Sequence, residues 1–161
     1  MVATPISASS RYVNVNTTVV YWVPTIANKN SPTRSELNAG TNLVGENSAA
    51  SGWTVKTDLV ETPTMANRFT PKIPGRIQAD DSSLTMYMDL GGTDARALMP
   101  ADTNGFIVWC DGGDVTGRKM DVYPVRVASH SKPRSTEAKE AATVEIMYAI
   151  TDQPAEYVTI P

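Results

Sequence analysis

Histidine and cysteine each occur once in the 161 residues, and that scarcity removes whole classes of chemistry. A lone Cys110 excludes an internal disulfide and a disulfide scaffold. It closes the apolar run Phe106-Ile107-Val108-Trp109, which reads as a buried, inert thiol. One histidine and one cysteine build no usual zinc site without carboxylates. His130 stands between Ser129 and Ser131. A serine-histidine-acid triad is a matter of spatial geometry that sequence adjacency does not supply, so His130 reads as a polar strand end. Asp111 and Asp114 bracket two glycines and offer oxygen ligands for calcium, but the EF-hand pattern is absent and a hairpin tip is the simpler reading. Asp80-Asp81 reads as a solvated turn within reach of Arg76, not as a catalytic dyad. Gly91-Gly92 matches no phosphate-binding loop and reads as a turn.

Positive charge is also short. Fourteen Lys and Arg stand against seventeen Asp and Glu, a formal net charge of −3. Gripping nucleic acid needs clustered cations that displace phosphate counterions, and Arg118-Lys119 is the longest basic feature. Trp22, Trp53 and Trp109 are too dispersed for a base-stacking platform and read as core or interface packing. Charged residues make up 19%, below the quarter usual for a soluble monomer, as a chain that hides surface in neighbours would show. Met1-Val2-Ala3-Thr4-Pro5 lacks a basic segment leading into an apolar stretch, so the expectation is no signal peptide, no membrane span and synthesis in a cytoplasm. No internal repeat, heptad seam or low-complexity tract appears. With no cofactor or metal motif, weight shifts from enzyme to structural or binding role.

What the chain does have is period-two alternation, the mark of half-buried strands. Val13, Val15, Val19, Tyr21 and Val23 share one face of a strand expected from Tyr12 to Val23. Trp53, Val55, Thr57 and Leu59 form a second such series, Leu84, Met86, Met88 and Leu90 a third, and Ala142 to Ile150 a fourth. Tyr157 to Ile160 adds a short last strand, and Phe106 to Cys110 is apolar on both faces. Helix signals are few. Thr33-x-x-Glu36 is a capping box that predicts one or two turns over Arg34–Ala39, and Asp94–Met99 predicts a second short helix ended by Pro100. Asp111-Gly112-Gly113-Asp114 predicts a hairpin. The stretch Pro63–Asp81, with Pro71, Pro74 and Gly75, predicts a long extended loop or loose hairpin, of the kind ordered by a partner. Asp121–Val127 is a strand interrupted by Pro124, which predicts an edge or a bulge. Lys132–Lys139 is a polar connection. Together these give a mainly β sandwich or barrel.

Four stretches, in order along nearly the whole chain, resemble the major tail tube protein of long-tailed phages with non-contractile tails, especially those infecting actinobacteria. They are Ser31-Pro32-Thr33-Arg34-Ser35-Glu36-Leu37-Asn38-Ala39-Gly40-Thr41-Asn42-Leu43; Gly52-Trp53 followed by Arg68-Phe69, Lys72-Ile73-Pro74-Gly75-Arg76 and Asp81-Ser82-Ser83-Leu84-Thr85; Ala95-Arg96-Ala97-Leu98 with Gly105-Phe106-Ile107-Val108 and Asp111-Gly112-Gly113; and Val122-Tyr123-Pro124-Val125 with Ala142 to Pro154 and a short final strand. The resemblance implies a single domain over 1–161, a β-sandwich or partly closed barrel with one or two short flanking helices, and a long loop or arm around 63–81. It implies rings, typically hexameric, stacked into a hollow tube in the virion and assembled in the host bacterial cytoplasm. The implied partners are other copies of the chain, the tape measure protein, the tail terminator and distal tail or baseplate proteins. DNA passes through without specific binding, and no membrane, cofactor or metal is implied. Expected inter-subunit or inter-ring contacts are Arg68, Phe69, Lys72, Ile73, Arg76 and Pro124. The alternatives are another ring-forming virion component, such as a terminator or contractile-tube subunit, or a monomeric β-sandwich binding module.

Overall fold

The computed structural model describes residues 3–137 and 139–161; Met1, Val2 and Ala138 lie outside the described residues. The elements in chain order are β1 (Val19–Val23), α1 (Arg34–Asn38), β2 (Thr41–Asn42), β3 (Asn47–Ser51), β4 (Val55–Glu61), β5 (Lys72–Ala79), β6 (Ser82–Tyr87), α2 (Ala95–Leu98), β7 (Asn104–Cys110), β8 (Lys119–Ser131), β9 (Thr143–Ile150) and β10 (Ala155–Thr159). Eight strands form one antiparallel sheet in the order β2-β1-β7-β8-β9-β6-β3, with β10 also on β8. The other two, β4 and β5, pair only with each other.

The sheet curls almost into a barrel, for a topological reason. β2 and β3 lie at opposite ends of the strand order, yet only residues 43–46 join them. Fully extended, that link spans at most about 18 Å, so the two rims must approach. Hydrogen bonds fix the link to both sides: the Leu43 N–H donates to the Val20 carbonyl at 2.8 Å and the Tyr87 N–H to the Glu46 carbonyl at 3.0 Å.

Each face of the curled sheet buries its own core. Trp22, Leu84, Met86, Ile107, Val125, Val127, Val144 and Ile146 fill the concave side together with Met99 from the end of α2. Val23, Val108, Cys110, Met120 and Val122 fill the other, roofed by Leu37 of α1 and by Ala155, Val158 and Ile160. That is why β7 is apolar on both faces, as its sequence required. β1 likewise sends Val20 and Trp22 to one core and Val23 to the other, with Val19 and Tyr21 packed beside it. Gly105 faces the Trp22 indole so closely that a Cβ there would overlap the ring.

Both helices start where the caps demand. Thr33 accepts from the Glu36 N–H while the Glu36 carboxylate accepts from the Thr33 N–H, so the capping box is complete. Asp94 caps α2 through the Arg96 N–H.

Four expectations are corrected. The strand expected from Tyr12 begins only at Val19, because the Thr17 and Thr18 N–H groups turn back to the Asn14 carbonyl and Asn16 adopts φ 64°. Tyr12, Val13 and Val15 are left exposed. The third series stops at Tyr87; Leu90 is exposed, in the turn closed by the Gly92 N–H on the Asp89 carbonyl. Asp80 binds Thr54 and Lys56, both at 2.6 Å, and its partner is not Arg76. Lastly, β8 is the central strand of the sheet and Pro124 is buried in it, not at an edge. The Pro124 carbonyl accepts from the Thr151 N–H at 3.0 Å, and the nitrogen of an extended residue faces the same side as its carbonyl. On that side β10 pairs only as far as Val122 and β9 begins at Val125, so no ladder bond is missing. A bulge follows in β8 between Val127 and Ser129.

Candidate assembly surfaces

The β4–β5 hairpin is exposed along nearly its whole length. Its two strands bulge where Asp58 opposes both Gly75 and Arg76, so the alternation stays in phase on either side. The cross-strand register puts Val55, Thr57, Leu59, Pro74, Ile77 and Ala79 on one face. That face is largely open: Leu59 is 64% and Ile77 53% exposed, and Val60, Ile73, Phe69 and Met65 elsewhere on the hairpin are uncovered too. Asp80 ties its two strands together at the base through Thr54 and Lys56, and the base is anchored to the sheet by the bonds of Trp53 to Ser82, Ser83 and Tyr123 and by Val55 lying near Ile150. The sequence pattern of β4 is that of a half-buried strand, and the chain itself does not bury it.

Five of the six residues expected to make contacts lie here. Arg68 and Phe69 occupy the tip, and Lys72, Ile73 and Arg76 lie on β5, all exposed; Lys72 pairs with Glu61 at 2.9 Å. Pro124 is remote from them, inside the sheet. Sequence reasoning missed Leu59, Val60, Met65 and Ile77. Their signal was the density of apolar residues flanking a Pro-rich turn, which reads equally as a core strand.

Other features are internal. Arg34 grips Asp114 through two bonds of 2.5 and 2.7 Å, and the Tyr21 hydroxyl donates to the same carboxylate at 2.7 Å. The Arg34 guanidinium holds the Asp114 carboxyl below its ordinary value, with Tyr21 adding to the effect. Burial, then Asp114, pushes Tyr21 up to about 12. So Asp111-Gly112-Gly113-Asp114 is a turn latched to α1. His130 bonds the Met99 carbonyl at 2.8 Å through Nε2. Cys110 is fully buried, and burial pushes its thiol up to about 12. Among the described residues no three His, Cys, Asp or Glu side chains gather where a metal would fit, and no helix is long and apolar enough to cross a membrane.

The chain is thus a mainly β, antiparallel protein with two short helices and an uncovered two-stranded arm. The family model described as phage tail tube protein matches residues 8–161, and the chain belongs to that family. Solved structures agree in fold. A chain of the sheath–tube complex of an extracellular contractile injection system (PVC) is similar at a TM-score of 0.61 and 14% identity, over 89% of this chain and 89% of that one. A chain of the sheath/tube terminator of the same kind of system is similar at 0.62 and 15%, over 91% and 97%. A chain of the tube-terminating cap of the anti-feeding prophage is similar at 0.57 and 14%, over 89% and 90%. Among curated protein sequences, none matches.

Proposed function

We propose that this chain is the repeating subunit of a non-contractile phage tail tube, which stacks as rings, typically of six copies, into a hollow conduit for genome delivery. The observation that carries this reading is the uncovered β4–β5 hairpin. A two-stranded ribbon is marginal in water by itself, and this one leaves its apolar face open. Covering a side chain such as Leu59 or Ile77 contributes roughly 1.5–3 kcal/mol, so a neighbouring copy stabilises the arm as the arm joins the neighbours. The exposed β3 rim, built from Asn47-Ser48-Ala49-Ala50-Ser51, supports the reading further, because a free edge with small side chains accepts another strand. Head-to-tail contacts of this kind close into rings or run on as filaments. The net charge of −3 suits a passage that must not retain phosphate backbone. The finished tube belongs in the virion, joined to tape measure, terminator and distal tail proteins, after assembly in the host cytoplasm.

Likeness to a terminator chain favours one second reading, a subunit that stops at a single ring. Negative-stain electron microscopy of concentrated protein, alone and with the natural tail initiator, separates the two. Hollow tubes with a regular axial repeat are expected. Single rings under every condition would point to the terminator, and monomers throughout would leave neither standing.

A further inference from the structure

A cleft of about 230 Å³ opens at the base of the hairpin. Trp53, Trp109 and Tyr123 line it together with Asp111 and Asp121. The aromatic rings are fixed in place. The Trp53 centroid lies 5.7 Å from Trp109 and 5.3 Å from Tyr123, nearly edge-on to the latter. Trp53 sits at φ 59°, uncommon for so bulky a residue, held by its N–H on Ser82 Oγ, its Nε1 on the Ser83 carbonyl and its carbonyl under the Tyr123 hydroxyl.

Two observations say that this cleft lacks a cation. Among the described residues, no Lys or Arg nitrogen makes an ion pair with Asp111 or Asp121. Asp111 lies at the exposed mouth of the cleft, where desolvation and the Asp121 charge hold its carboxyl above its ordinary value, and Asp121 accepts from the Tyr157 N–H at 2.7 Å through one oxygen. Two nearby cations are engaged elsewhere: Arg118 bonds the Gly112 carbonyl, and Lys119 bonds Thr159 and lies 4.8 Å from the Tyr157 ring centroid. Aromatic faces beside paired carboxylates suit a guanidinium better than an ammonium, because the planar ion stacks and bonds in two directions at once.

We infer that the Trp53–Trp109–Asp111–Asp121 cleft receives Arg68 from the hairpin tip of a second copy of this chain. Arg68 is exposed and, among the described residues, in no ion pair, with Phe69 beside it to lie against the aromatic rim. It cannot serve its own cleft. Trp53 lies at the foot of β4, and seven residues of strand carry the chain about 23 Å away before the tip begins. Tip and cleft are therefore opposite ends of one hairpin, and joining them between copies makes a head-to-tail contact that repeats. This inference rests on the tube reading and names the residues through which copies engage.

The test is charge reversal, read by sedimentation of polymer. Arg68→Glu places a third carboxylate in the cleft, and Asp111→Lys sets a cation against Arg68. Each alone is expected to raise the protein concentration needed for polymer at least about tenfold. The doubly reversed chain is expected to restore most of the loss. Far-UV circular dichroism and melting of each variant confirm a folded subunit. Polymer from Arg68→Glu at the ordinary concentration would refute the cleft while leaving the tube reading intact. Two defective single variants without rescue in the double would show that the residues do not meet. If the unaltered chain forms no polymer even with the tail initiator, the tube reading falls, and this inference with it.

Discussion

Asp114 shows how a single side chain sets the relation between the helix and the sheet. It accepts a two-point bond from Arg34 and a third from Tyr21, so one carboxylate fastens α1 to the β7–β8 turn and to β1. Its folded pKa is depressed, chiefly by Arg34. The stabilisation is therefore fully present above the ordinary Asp value near 4 and fades as pH falls through the lower folded value. Asp114→Asn is expected to cost about 1 kcal/mol at neutral pH, the guanidinium being half in solvent and its charge screened. Urea titrations at pH 7 and pH 3 check this: the gap between the two proteins should narrow at the lower pH. Cys110, Tyr123 and Tyr148 lie in the cores, and burial raises all three pKa values, so none titrates in that window.

At the scale of elements, the hairpin should be separable from the barrel. Leu59→Lys combined with Ile77→Lys replaces exposed apolar side chains and touches neither core. Monomer stability by chemical denaturation is expected to stay within about 0.5 kcal/mol, while polymer formation is lost. Elements with local signals were legible from sequence: the capping box announced α1, Asp94 announced α2, and the doubly apolar run announced β7. Elements whose meaning lies in pairing were not. Pro74 and Gly75 left β5 undecided between extended loop and loose hairpin, because their irregularity is absorbed by a bulge visible only opposite Asp58. Pro124 suggested an edge or a bulge; the strand carries its bulge further on, between Val127 and Ser129, and nothing local reveals that β9 and β10 leave a gap beside Pro124 itself. The cleft was illegible for the same reason. Residues 53, 109 and 121 are scattered in sequence, and only the β7–β8 register and the β3–β4 link bring them together.

For the whole molecule, two cores are buried on opposite faces of one sheet within the chain, whereas the apolar side chains of the arm are left uncovered, and in the proposed tube neighbouring copies would cover them. Association should then appear as added stability. The melting temperature is expected to rise with protein concentration once polymer forms and to be flat below that point, as mass action requires when only the native state associates. Differential scanning calorimetry across a dilution series reads this directly, and a melting temperature independent of concentration in the presence of polymer would contradict it. The single thiol has a practical corollary at the same scale. Because Cys110 is sealed in the outer core, any cysteine placed on the hairpin would be the sole target for a maleimide dye or spin label. Every copy in an assembly would then carry one probe at one chosen address, and distances between probes on neighbouring copies would chart the packing without a lattice or a micrograph.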